Sequence, residues 1–226
     1  MKIVIIGAYG TALNIADSIS HACLHYGRKD DVLGFAIDNA ALGDNIGGYP
    51  ILCTPRDFRT KFLHYSDVKV IFALHKPNLL KERALLMESY KIPDEKYYTF
   101  ISPFAYIAEN VKIGIGNAIL SNCSIQSKVV IGNHNIINAN VVIEHDTVIE
   151  NSNFIAAGAC IGSLVKVKTA SFIGLNSTVR ENTMIDNYAF IGMSSNVLSH
   201  VNESEIVYGN PARVRAGKNS EKEAVK

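Results

Sequence analysis

The sequence carries no excess charge of either sign: 22 Lys and Arg stand against 21 Asp and Glu, a formal net charge of +1. That balance gives no electrostatic footprint for nucleic acid or for an anionic membrane surface. Cysteine is scarce, at four. Cys23, Cys53, Cys123 and Cys160 are scattered, with no C-x-x-C pair, so no zinc site is indicated. Reduced, mostly buried thiols are expected, which fits a cytoplasmic protein. No apolar run approaches the roughly 18 residues of a membrane-spanning helix. Met1-Lys2 leads at once into a short strand and a glycine turn, so no signal peptide is expected. The dinucleotide fingerprint G-x-G-x-x-G is missing too, since the first turn is only G-x-x-G, at Gly7 and Gly10.

What is present is aliphatic and periodic. From Ile101 every sixth residue is Ile or Val: 101, 107, 113 and so on to Val197, seventeen positions in a row. The chain holds 27 Ile and 18 Val in 226 residues, so chance does not produce this run. A period of six fits no amphipathic helix, whose apolar stripe recurs near 3.6. It is the period of a parallel β-helix, in which short strands stack coil on coil. The β-branched residue points inward and fills the axis. The smaller residue four places later, such as Ala105, Asn117 or Ser195, is expected to let the chain turn the corner.

Residues 1–97 read differently. Lys2–Gly7 is a buried parallel strand, and Thr11 is expected to cap a helix running to Tyr26. Val32–Ile37 and Val68–Leu74 are further strands. Helices are expected over Asp57–Leu63 and Asn78–Tyr90, with a polar loop at Asp44–Pro50. Alternating strand and helix means a small parallel sheet, which binds ligands at the carboxyl ends of its strands. Gly7, Gly10 and Thr11 after the first strand, Asp38 and Asn39 after the second, and His75 and Lys76 after the third are the candidates there.

A six-residue repeat of this kind resembles the hexapeptide-repeat, left-handed β-helix family, in which three hexapeptides form an 18-residue triangular coil. With the first 97 residues added, the chain resembles the bacterial sugar acyltransferases. These include N-acetyltransferases of nucleotide-linked amino sugars and sialic acid O-acetyltransferases. The resemblance is strongest at Ile137 to Asp146 (INANVVIEHD) and at Gly209-Asn210-Pro211-Ala212-Arg213. It implies an α/β half-Rossmann domain (1–97) for the nucleotide sugar and a left-handed β-helix (98–215); the polar tail (216–226) is expected to be disordered from its composition.

The same resemblance implies acetyl transfer from acetyl-coenzyme A to an amine on the sugar, in bacterial surface glycan biosynthesis, by a cytoplasmic homotrimer without metal. His145 becomes the general base and Asp146 its orienting carboxylate. Asn138 joins the substrate residues. Phe154, Ser163, Gly174, Gly192, Met193 and Arg213 become the coenzyme residues, the glycines because main chain must approach the ligand closely. Where members of the family have Gly-His-Gly-Lys and two aspartates, this chain has Gly10-Thr11-Ala12-Leu13 and Asp38-Asn39. Sugar O-acetylation, or a β-helix scaffold without catalysis, are the alternatives.

Overall fold

β1 (Lys2–Ile6) lies at the centre of the first sheet because both of its faces are apolar. Ile3 and Ile5 pack with α1 (Thr11–Tyr26), while Val4 and Ile6 pack with α2 (Phe58–Phe62) and α3 (Leu80–Ser89); all four are fully buried. The computed structural model describes residues 1–215; the tail expected at 216–226 lies outside the described residues. β2 (Asp31–Ala36) and β5 (Val68–Phe72) flank β1 in parallel, and β4 (Tyr49–Cys53) extends the sheet in parallel with β2. The expected loop at Asp44–Pro50 instead holds β3 (Asn45–Ile46), which pairs antiparallel with β4. Gly47 and Gly48, at φ 57° and 88°, make the reversal.

Thr11 does not cap α1. The cap position belongs to Gly10, at φ 62°, and Thr11 is the first helical residue without a side-chain cap bond. Ala12, Ile15, Ala16, Ile19 and Ala22 form the buried stripe at helical spacing. Gly27, left-handed at φ 65°, ends the helix.

From Phe100 onward the chain is a parallel β-helix. Seventeen two-residue strands follow one another, and each ends on one of the seventeen aliphatic residues read from the sequence. From Phe100 to Thr178 each strand pairs in parallel with the strand 18 residues on, as Ser124–Ile125 does with Val142–Ile143. Three ladders result, each forming one side of a triangular prism. The first contains Phe100–Ile101, the second Tyr106–Ile107 and the third Lys112–Ile113. Ile119 through Val197 fill the axis at 3% exposure or less. The hairpin Ile206–Tyr208 with Arg213–Val214 closes the far end of the first ladder.

The corners are turned one residue earlier than expected. The residue three places after each aliphatic position adopts the left-handed conformation, with φ between 53° and 74° at every corner from Gly116 to Ser194. The smaller residue after it points inward instead. Asn117, Asn135 and Asn153 do so at 0% exposure and form a ladder, each Oδ1 accepting from the backbone N–H one coil on at 2.8–2.9 Å. Buried amides persist there because the neighbouring coil supplies their partners.

The first ladder's outward residues Phe100, Ala118 and Ile136 belong to the same apolar cluster as Ile3, Ile5 and α1, so the sheet is docked on this side of the prism. No helix among the described residues is long and apolar enough to cross a membrane.

Candidate active site

His145 stands at the edge between the second and third ladders, two residues after the inward Ile143. Successive side chains of a strand point to opposite faces. Asp146 breaks that alternation with φ 58°, which brings two consecutive side chains to the same side. His145 Nδ1 lies 2.8 Å from Asp146 Oδ2. A carboxylate can only accept, so Nδ1 is the donor, and in the neutral ring this leaves the lone pair on Nε2. The His145 side chain is 53% exposed, so that lone pair is open to solvent and to a ligand. Lys128 Nζ lies 3.8 Å from Asp146 Oδ1, an exposed ion pair on the same edge. Sequence reading missed Lys128, although it stands 18 residues before Asp146 and the coil length places it directly beside that corner.

Asn138 sits elsewhere. It is 9% exposed, and its amide donates to the Ile155 carbonyl at 3.0 Å. Its side chain ties one coil to the next instead of facing the His145 edge. The coenzyme candidates divide between two edges. Ser163 lies one coil beyond His145 on the same edge. Gly174, Gly192 and Met193 follow the first ladder, on the edge it shares with the second. Both glycines are buried, and their smallness answers to the protein itself. A Cβ on Gly174 would lie 2.6 Å from the Gly192 carbonyl carbon, and one on Gly192 1.9 Å from the Tyr208 ring. Close approach of a ligand is therefore not what requires glycine there. Met193 is 69% exposed. Phe154 stacks on Phe172 with ring centroids 5.6 Å apart. Arg213 is exposed, and its guanidinium donates to the Ala212 carbonyl at 2.9 Å.

In the sheet, a Cβ on Gly7 would lie 2.8 Å from Ala12 and 3.2 Å from the Ala73 carbonyl, so helix packing requires this glycine. Gly10 meets no such crowding and is exposed, with Thr11 beside it. Asp38 and Asn39 are exposed at the carboxyl end of β2, where Asn39 Oδ1 accepts from Ala41 N at 3.1 Å. The turn after β1 and the segment after β5 lie side by side at the carboxyl end of the sheet, where Ala73 N donates to the Ile6 carbonyl at 2.8 Å. β1 is followed by a connection to one side and β5 is reached from the other, the arrangement that opens a ligand crevice in such sheets.

His75, expected from the sequence as a candidate at the carboxyl end of the third predicted strand, lies on the segment after β5 and reaches the prism. Its ring lies 6.2 Å from that of Phe154, and His134 packs edge-on to Tyr97 at 4.4 Å. Nδ1 of both histidines is buried with no hydrogen-bond partner among the described residues. Burial pushes each down from 6.5 to about 4. No group of three or more His, Cys, Asp or Glu side chains among the described residues is placed to hold a metal ion.

The two halves of the expected site do not meet within one chain. The crevice lies on the first ladder's side of the prism. His145 comes nine residues after Ile136, half of an 18-residue coil, and so lies on the far edge. With six residues to a prism side at up to roughly 3.3 Å each, the separation is on the order of 15 Å across the aliphatic core.

No protein-family model matches the chain, and no curated protein matches it. Solved structures do. A mutant of perosamine N-acetyltransferase from Caulobacter crescentus, in complex with CoA and GDP-perosamine, matches with a TM-score of 0.80 at 21% identity, over 96% of this chain and 98% of that one. The acetyltransferase domain of PglB from Neisseria gonorrhoeae gives 0.81 at 21% identity, over 95% and 99%. WeeI from Acinetobacter baumannii gives 0.78 at 23% identity, over 95% and 100%. The chain thus shares, over nearly its whole length, the fold of these proteins: a small α/β sheet docked on a hexapeptide-repeat β-helix.

Proposed function

We propose that this protein is an acetyl-coenzyme A-dependent N-acetyltransferase acting on the amino group of a nucleotide-linked sugar, in the biosynthesis of a bacterial surface glycan. The observation that carries this reading is the exposed His145–Asp146 pair, set on a fold shared with an N-acetyltransferase whose structure holds CoA and GDP-perosamine. The amine nitrogen attacks the thioester carbonyl. The N–C bond forms, the C–S bond breaks, and the proton leaves nitrogen for His145 Nε2 before passing to the departing sulfur. Asp146 holds the imidazole in the required tautomer and stabilises its protonated form. No acyl-enzyme is required, because the thioester is already activated.

The separation of crevice and base gives the assembly a reason. In a cytoplasmic homotrimer of left-handed β-helices, the His145 edge of one copy faces the crevice of the next. Ser163 of one copy and Met193 of its neighbour then flank one groove for the coenzyme, with Arg213 toward its phosphates. Residues 1–97 serve as the nucleotide-sugar domain, through Gly10, Thr11, Asp38 and Asn39, and 98–215 as the acyltransferase domain. Closed cyclic assembly suits a chain with flat, uncovered prism sides.

Isothermal titration with acetyl-coenzyme A, then with UDP-, dTDP- and GDP-linked 4-amino sugars, tests the reading. Micromolar binding of the coenzyme and of one nucleotide sugar supports it. Coenzyme binding with no nucleotide sugar recognised points to O-acetylation of a free sugar. Binding of neither leaves a scaffold.

A further inference from the structure

The corner that follows His145 one coil later is occupied by Leu164. Its backbone N–H donates to the His145 carbonyl at 3.1 Å, so the two residues are coil neighbours on the same edge. Along that edge the left-handed corner positions are Lys128, Asp146, Leu164 and Asn182. Three are polar, as the conformation favours: Asn and Asp tolerate positive φ, and branched apolar residues resist it. Leu164 adopts φ 59° and leaves its side chain 57% exposed. Other bulky side chains held in this conformation have partners, since His134 packs on Tyr97 and Tyr188 lies 4.4 Å beneath Lys81 Nζ. A strained, solvated leucine beside a candidate base is a choice that the packing of one chain does not require.

We infer that Leu164 selects the acyl group that is transferred, forming the apolar wall beside the acyl end of the thioester. This rests on the acetyltransferase reading above. The candidate coenzyme residues Ser163, Gly174, Gly192 and Met193 all lie in coils beyond that of His145. The reacting end of the thioester therefore falls between His145 and those coils, where Leu164 stands. A short acyl chain meets the leucine methyls, and a longer one collides with them. In an apolar pocket each methylene is worth roughly 10–200-fold in discrimination, so a single side chain is enough to decide between acetyl and butyryl.

The test compares kcat/KM for acetyl-, propionyl- and butyryl-coenzyme A, with saturating nucleotide sugar, in the full-length wild-type protein and in Leu164→Ala and Leu164→Asn. Leu164→Asn places at this corner the residue found at Asn182, and it secures the test should Leu164→Ala fold poorly. Wild type should prefer acetyl. Both variants should shrink the acetyl-to-butyryl ratio by at least ~10-fold, with the KM for the nucleotide sugar unmoved. An unchanged ratio overturns the inference. So does an equal loss for every donor together with a lower melting temperature, which marks a purely structural leucine. Wild type inactive with every thioester fails the acetyltransferase reading itself, and that result is known before any variant is made.

Discussion

Acidification should loosen this protein well before its carboxylates titrate, through His75 and His134. Both rings titrate near 6.5 in an unfolded chain and near 4 in the folded one. The folded pKa is the lower, so below about pH 6.5 the unfolded chain gains protons that the folded chain refuses. Stability is therefore complete above that pH and falls progressively toward pH 4. Linkage from pH 7.5 to pH 5 gives about 2 kcal/mol per ring, about 4 kcal/mol for the pair. In a chain of this length that lowers Tm by roughly 10 °C. Asp94 is the acid that faces His134 and opposes the effect. His75 faces His134 itself, Phe72 and Phe154, so the second proton is harder to add than the first. Thermal melts at pH 7.5, 6 and 5, at constant ionic strength, measure it. His134→Asn keeps a residue suited to the left-handed corner, and His75→Phe fills the space beside Phe154. Each substitution should roughly halve the drop in Tm, and the double variant should abolish it. A Tm that holds constant from pH 7.5 to 5, or variants as steep as wild type, would refute the reasoning.

Other outcomes follow from the same geometry. His145→Ala should keep fold and assembly and lose well over ~10²-fold in kcat; a near-wild-type rate removes His145 from the chemistry. If one copy supplies the base and the next supplies the crevice, inactive His145→Ala and inactive Asp38→Ala proteins, unfolded and refolded together, should recover activity. About a quarter of the sites in random trimers would be intact, and no recovery means that each site belongs to one chain. Gly192→Ala should destabilise by about 1–3 kcal/mol through its collision with Tyr208. In a Tyr208→Ala background the same change should be nearly neutral in a denaturant titration, whereas Gly174→Ala, which meets backbone, should not be rescued.

The β-helix was legible because each inward position imposes a β-branched residue, and nothing interrupts the count of six. α1 was equally plain, from its stripe of Ala and Ile and its bounding glycines. The β3–β4 hairpin was hidden by Pro50 and the paired glycines, which read as a loop when taken alone. The left-handed corners were invisible for a different reason. Stacking on the coil below sets the backbone there, so Asn, Lys, Ala, Tyr and Leu all occupy the position. His145 and Asp146 were found by their motif, yet their placement opposite the sheet needed the coil length as well as the motif. His75 and His134 meet only because the sheet docks on the first ladder, a fact that no local pattern carries.

Six residues make a side and eighteen a full coil, so length in this protein acts as an angle. An insertion of eighteen before Asn138 would lengthen the prism and leave His145 on its own edge. An insertion of six would keep every aliphatic residue inside and every corner left-handed, yet carry His145 round by about 120° to the next edge. The protein's inventory of side chains would be complete, with the proposed base turned away from the proposed groove. In such a prism a side chain keeps its address on one edge by counting modulo eighteen.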